Sequence, residues 1–240
     1  LGSFPFISDV LIENRLISRV ALKIEEKADK EIDGSELCLC PGFINTHSHS
    51  DLEMFRNDKM LHTLRQGITT EIVGQDGSSV APLTDEIADE LADNMAPLAG
   101  VIDKPYWWRS MGEYLSEVRK HNDAVKVEGL IGHGTVRMCV MGNDNRKPAP
   151  DELEMMKVII EKCMQEGAKG ISFGLIYPPG SYGDRDEISE LCKVVARYDG
   201  IMMVHMRNEQ DLLLESIDEM AYVARESGVR LHISHLKALG

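Results

Sequence analysis

From Pro41 onward the chain keeps returning to one pattern, a short β-prone run followed by a helical stretch. The strand-like runs are Phe43-Ile44 within Pro41–Asp51, Ile68–Gly74, Val125–Ile131, Gly170–Gly174, Ile201–His205 and Arg230–His235. Helical sequence follows each but the last: the stretch around His62, then two stretches after the second strand, one from Thr84, where Ile87, Leu91 and Met95 form an i, i+4, i+8 apolar stripe, and one over Ser110–His121, then Pro150–Gln165, Asp186–Tyr198 and Glu209–Ser227. Pro97–Arg109, with Pro105, Tyr106, Trp107 and Trp108, reads as an elaborated loop. Strand and helix in strict alternation specify an α/β protein with a parallel sheet. Two arrangements satisfy that pattern, a doubly wound open sheet and a TIM-type (β/α)8 barrel. No Gly-x-Gly-x-x-Gly follows a strand, so the dinucleotide-binding form of the open sheet lacks its main support.

The barrel carries a sharper expectation, that functional side chains gather at the C-terminal ends of several strands. In a strand, residues i and i+2 share a face, so His47 and His49 project together from the end of the first. Asp76 follows the second strand, His133 the third, Tyr177 the fourth, His205 the fifth and His235 the sixth. A single histidine at a strand end is ordinarily solvated or hydrogen-bonded, and His62 and His121, on helical stretches, take that explanation. His232 faces away from His235. His133, between two glycines, is a candidate for positioning backbone or substrate. Four imidazoles (His47, His49, His205, His235) and one bridging anion, Asp76, have the composition of a site for one or two divalent ions. Zinc suits nitrogen and carboxylate oxygen together and keeps a position open for water in catalytic sites.

Residues 8–40 differ. Asp9–Glu13, Arg19–Ile24 and Glu36–Cys40 are β-prone runs separated by polar turns such as Asp33-Gly34, and they predict a small antiparallel sheet. The expected division is therefore 1–40, a small β unit, and 41–240, the α/β unit. With 26 basic against 40 acidic residues the net charge is −14, which argues against nucleic acid and anionic membrane surfaces as partners. No apolar run approaches the roughly 20 residues of a bilayer span. Five scattered cysteines suit reduced thiols in a cytoplasm, with Cys38 and Cys40 expected as buried strand residues.

Taken in order, PGFINTHSHSD, QGITTEIVGQDGSSVAP, GLIGHGTVR, GAKGISFGLIYPPGSY, VHMRNE and ISHLKALG resemble the N-acyl-D-amino-acid deacylase (D-aminoacylase) branch of the metal-dependent amidohydrolase superfamily. The likeness runs from Asp9 to Gly240. It implies a metal-bearing barrel joined to a small β-sandwich built from both chain ends, and hydrolysis of an N-acyl-D-amino acid to a carboxylate and a free D-amino acid. By the same resemblance His47 and His49 match the first-strand metal ligands and His205 and His235 those of strands five and six. Tyr177 and Lys237 match residues that hold the substrate's α-carboxylate.

The sequence departs from that pattern twice. Where the branch commonly has a Cys, this chain has Asp76 in Gly74-Gln-Asp-Gly77, a harder anionic ligand that bears on the number of ions held. The resemblance also implies a catalytic Asp at the end of strand eight, which falls beyond Gly240 with strands seven and eight; the 240 residues alone are therefore expected to lack normal activity. Two alternatives stand beside the deacylase. One is a cyclic amidohydrolase acting on a hydantoin or dihydroorotate, disfavoured because the fourth strand ends Ser172-Phe-Gly174 with no lysine to bridge metals. The other is a metal-binding scaffold without catalysis.

Overall fold

Asn14 and Arg15 both take positive φ (51° and 67°), and the chain reverses there. Asp9–Glu13 (β1) pairs antiparallel with Leu16–Ala21 (β2), closed by the two-residue turn that positive φ at both positions allows. The computed structural model describes residues 4–56, 59–102 and 106–239; Pro105 and Gly240 lie outside them. Leu1–Pro41 and Gly42–Gly240 form two separate units. The expected third run, Glu36–Cys40, is not a strand, and Cys38 and Cys40 are exposed rather than buried. A strand needs a neighbour for its backbone N–H and C=O groups, and among the described residues none is paired with this run.

The second unit begins with Phe43–Asn45 (β3), which pairs parallel with Ile68–Val73 (β4), and β4 with Lys126–Gly129 (β5). Ile131–Gly132 (β6), Gly170–Gly174 (β7), Ile201–His205 (β8) and Arg230–Ile233 (β9) form a second parallel sheet in that order. The sheets adjoin at Leu130, whose N–H donates to Val73 O, while Gly129 O accepts from Lys169 N–H. Neighbours in space thus follow chain order through six strand positions, as the alternating pattern predicts.

Two short helices, Glu53–Arg56 (α1) and Leu61–Leu64 (α2), separate β3 from β4. The helix expected from Thr84 starts a turn later, at Ala88–Ala99 (α3), with Ile87, Leu91 and Met95 buried as the stripe requires. Met111–His121 (α4) opens with a capping box in which Ser110 and Glu113 satisfy each other's backbone N–H groups. The sequence pattern missed His133–Met141 (α5) altogether. Its residues 133–138 are all buried, so no polar face betrays a helical period. Pro150–Gln165 (α6) matches its expected bounds, Arg185–Arg197 (α7) is capped by Asp184, and Leu213–Ser227 (α8) starts late because Asn208 Oδ1 first accepts from the N–H groups of Gln210 and Leu212. Leu91, Trp108, Ile131, Ile160, Phe173 and Val204 are among the side chains filling the core against which these helices pack.

One turn sets the geometry at the strand ends. Gly74-Gln75-Asp76-Gly77 runs through three positive φ angles, 78° at Gly74, 53° at Asp76 and 77° at Gly77. Glycine meets that demand freely; Asp76, as an L-residue, is held there by its surroundings. Ser172 Oγ donates to Gly74 O (2.5 Å) and accepts from Gly77 N–H (3.1 Å), and Gln75 Nε2 donates to Thr46 O (2.9 Å). Gly74 N–H donates to the buried carboxylate of Asp51 (2.9 Å). A Cβ on Gly174 would lie 2.0 Å from Asp76 O, so β7 can approach the turn only as glycine. Ser172→Ala strands two buried backbone groups and is expected to cost about 1–3 kcal/mol. A urea-unfolding midpoint lowered at unchanged slope checks this.

Candidate metal centre

The strand ends deliver the predicted side chains to one place. His47 Nε2 lies 3.4 Å and His49 Nε2 3.3 Å from Asp76 Oδ2. On the other side of the same carboxylate, His235 Nε2 is 3.8 Å and His205 Nδ1 4.0 Å from Asp76 Oδ1. Two trios therefore share Asp76: His47, His49 and Asp76, and Asp76, His205 and His235, the ligand atoms of each within 4.8 Å of one another. The rings pack edge to face, with centroids 5.4 Å apart for His47–His49 and for His47–His235, and 4.4 Å for His205–His235.

Burial works against ionisation of Asp76, yet the hydrogen bonds and charges of His47 and His49 outweigh it and hold the carboxyl well below the usual range. Asp76 is thus an anion facing both trios. Burial pushes the His205 imidazole below its ordinary value, against the opposing pull of Glu209 and Asp76, which favours the neutral ring, with one nitrogen offering a lone pair. Asp76 raises His49, a competition between proton and cation for one nitrogen.

These residues fit a metal. Asp76 Oδ1 and both ring nitrogens of His205 are buried with no hydrogen-bond partner, an expense that proteins rarely tolerate without a function. Imidazole with carboxylate is a donor set that zinc accepts.

Sequence reasoning misses Glu209 as a site residue, although it stands in the VHMRNE segment four residues after His205. Its side chain is 3% exposed. Oε1 accepts from His235 Nδ1 (2.6 Å), which leaves His235 Nε2 to face Asp76; Oε2 is paired with Lys237 Nζ and lies 3.8 Å from His205 Nε2. A carboxylate behind a ligand imidazole fixes its tautomer and ring angle. Only the fold brings Glu209 behind His235, 26 residues away.

Tyr177 stacks at a tilt beside His205, centroids 4.9 Å apart, with about half its surface open. Burial, then the charges of Asp76 and Glu209, raise its phenol pKa, so it remains a donor. Lys237 is on the same side through Glu209. His133 does not join this group: it opens α5 fully buried, with Nε2–H donating to Glu187 Oε1 (2.8 Å).

A parallel α/β unit with histidines and a shared carboxylate at its strand ends suits a divalent metal ion, and the proteins this chain resembles are amidohydrolases. D-aminoacylase from Alcaligenes xylosoxydans xylosoxydans is 32% identical over 235 residues, 97% of this chain and 47% of that protein. A crystal structure of D-aminoacylase, described as defining a novel subset of amidohydrolases, superposes with a TM-score of 0.74 at 32% identity, over 83% of this chain and 41% of that one. N-acyl-D-glutamate deacylase from Bordetella bronchiseptica, complexed with zinc and a phosphonate mimic of the tetrahedral intermediate, gives 0.71 at 29% identity, over 80% and 39%. No family model matches the chain. Over most of its own length the chain is similar to N-acyl-D-amino-acid deacylases of the amidohydrolases. It spans about half the length of the curated relatives it matches.

Glu209→Gln keeps the shape of the side chain but weakens the bond to His235 Nδ1, and is expected to lower zinc affinity on the order of 10–100-fold. Competition against a chromogenic chelator measures it.

Proposed function

We propose that the protein bearing this chain hydrolyses the amide bond of N-acyl-D-amino acids, releasing a carboxylate and a free D-amino acid, with zinc as its metal. The observation that supports this most is the pair of trios sharing Asp76, set beside a phenol and an ammonium able to bind an acid. In this reading His47, His49, His205, His235 and Asp76 hold one or two ions. The chemistry zinc supplies when bound is Lewis acidity, which acidifies water toward neutral pH and polarises an acyl oxygen.

The chain's own groups do the rest. Glu209 keeps His235 in one tautomer and holds the Lys237 ammonium on the same side. Tyr177 O–H and Lys237 Nζ bind the substrate's α-carboxylate, so the amide sits at a fixed distance from the histidines and the L-enantiomer is misaligned.

The hydantoinase-like alternative has less support. At the end of β7, where a bridging lysine would be needed, Ser172 is committed to the Gly74–Gly77 turn and Gly174 is pressed against Asp76. The six strand positions are read as the first six of a (β/α)8 barrel over 41–240, and residues 1–40 as part of a β-sandwich. No described helix is long and apolar enough to cross a membrane, and a cytoplasmic enzyme acting on small N-acyl amino acids is the setting proposed.

His205→Ala is expected to lose most bound metal and orders of magnitude in turnover of N-acetyl-D-amino acids, with hydantoins turned over by neither protein. Metal analysis with parallel assays on both substrate classes checks it. Full metal content and full rate in that variant would refute the assignment.

A further inference from the structure

His133 and Glu187 are buried polar groups that the proposed chemistry does not use. They stand with Arg137 in a network walled off from solvent. The His133 and Arg137 side chains are fully buried and that of Glu187 is 2% exposed. His133 and Arg137 are one turn apart on α5 and both reach Glu187 on α7, His133 through Nε2 (2.8 Å) and Arg137 through Nη1 to both oxygens (2.8 and 2.6 Å). Arg137 is tied further to Arg146 O (2.9 Å).

What the ring of His133 touches gives the network its meaning. One neighbour is Phe173 of β7, centroids 4.8 Å apart. On the other side is the Pro178–Gly183 segment after Tyr177. A Cβ on Gly183 would come within 2.8 Å of His133 Cε1, and one on Gly180 within 3.7 Å of Nδ1. Gly183 has φ −68° and ψ 133°, which any residue adopts, so His133 and Glu187, not backbone conformation, exclude a side chain there. From outside, Arg207 grips the same segment, donating to Ser181 O (2.9 Å) and Gly183 O (2.8 Å) while paired with Glu219. Ser181 N–H in turn donates to Tyr177 O (2.8 Å).

We propose that His133, braced by Glu187 and Arg137, is a positioning residue: an internal post over which residues 178–183 fold, and which thereby sets Tyr177 beside His205 for substrate binding. The proposal rests on the substrate-binding role proposed for Tyr177. Removing the ring leaves the Glu187–Arg137 pair intact, so His133→Ala does not strand a buried charge. Tyr177 then loses its fixed place while the five ligands keep theirs.

The test uses the zinc-loaded full-length protein, an N-acetyl-D-amino acid as substrate, and hydrogen exchange over residues 175–184 as a readout that needs no turnover. His133→Ala is expected to raise KM roughly ten- to a hundredfold, the worth of one hydrogen bond to a charged group, with kcat and zinc content little changed. Exchange at Ser181 and Gly183 speeds up. His133→Gln, whose amide can still donate to Glu187, recovers part of the loss. Gly183→Ala, which pushes a methyl into the ring, raises KM in the wild-type background and has no further effect when combined with His133→Ala.

The same Gly183→Ala effect in both backgrounds, or an unchanged KM in His133→Ala, overturns the post. Should His133→Ala fail to fold, Gly183→Ala and His133→Gln carry the test. A wild-type protein that turns over no N-acyl-D-amino acid sinks the proposed function instead, while unchanged exchange at Ser181 and Gly183 in the Gly183→Ala protein would still sink the post.

Discussion

One carboxylate sits between four imidazoles, and it does so from a backbone conformation that L-residues seldom adopt. Asp76, at φ 53°, faces His47 and His49 with one oxygen and His205 and His235 with the other. Its ionisation is secured by its neighbours against the cost of burial. Much around it serves to hold that turn: Ser172 bridges Gly74 and Gly77, Gln75 reaches back to Thr46, and β7 approaches as bare backbone at Gly174. Strain of this kind persists only where the surroundings over-determine it, and it collects at functional sites.

The layout separates two tasks. Strand ends and the turns after them carry the groups proposed to face a cation, and a layer of partly exposed ion pairs behind them fixes the angles. Glu209 belongs to that layer, joining His235 to Lys237, and so does Arg207, which sits between His205 and Glu209 in sequence but turns outward to the 181–183 backbone. In the proposed function a metal-binding half and an acid-binding half are linked through a few charged side chains. In a protein with 40 acidic residues, the carboxylates that matter are the few removed from water.

The likeness to the deacylase branch was legible in the sequence, and the alternation of strands and helices was enough to specify parallel sheets in chain order. His47 and His49 do come together, as their spacing predicts, but past the end of β3 at Asn45, so the turn after the strand and not strand periodicity aims them. α5 and Glu36–Cys40 were misread for opposite reasons. The first is buried on every side and shows no period. The second has a strand's composition but no strand beside it, and composition alone cannot supply backbone partners.

Glu209 and the His133–Glu187–Arg137 network were illegible because their partners are 26 to 54 residues away and meet only when helices pack on strands. Local patterns register side-chain periodicity and turn chemistry, which act over a few residues. The kinds of atom available to a metal, nitrogen from four histidines and oxygen from one aspartate, were written in the chain. Which oxygen faces which pair, and which buried acid stands behind which ring, was decided by packing. Those relations are distances through space, and a chain acquires them only by excluding water from its interior.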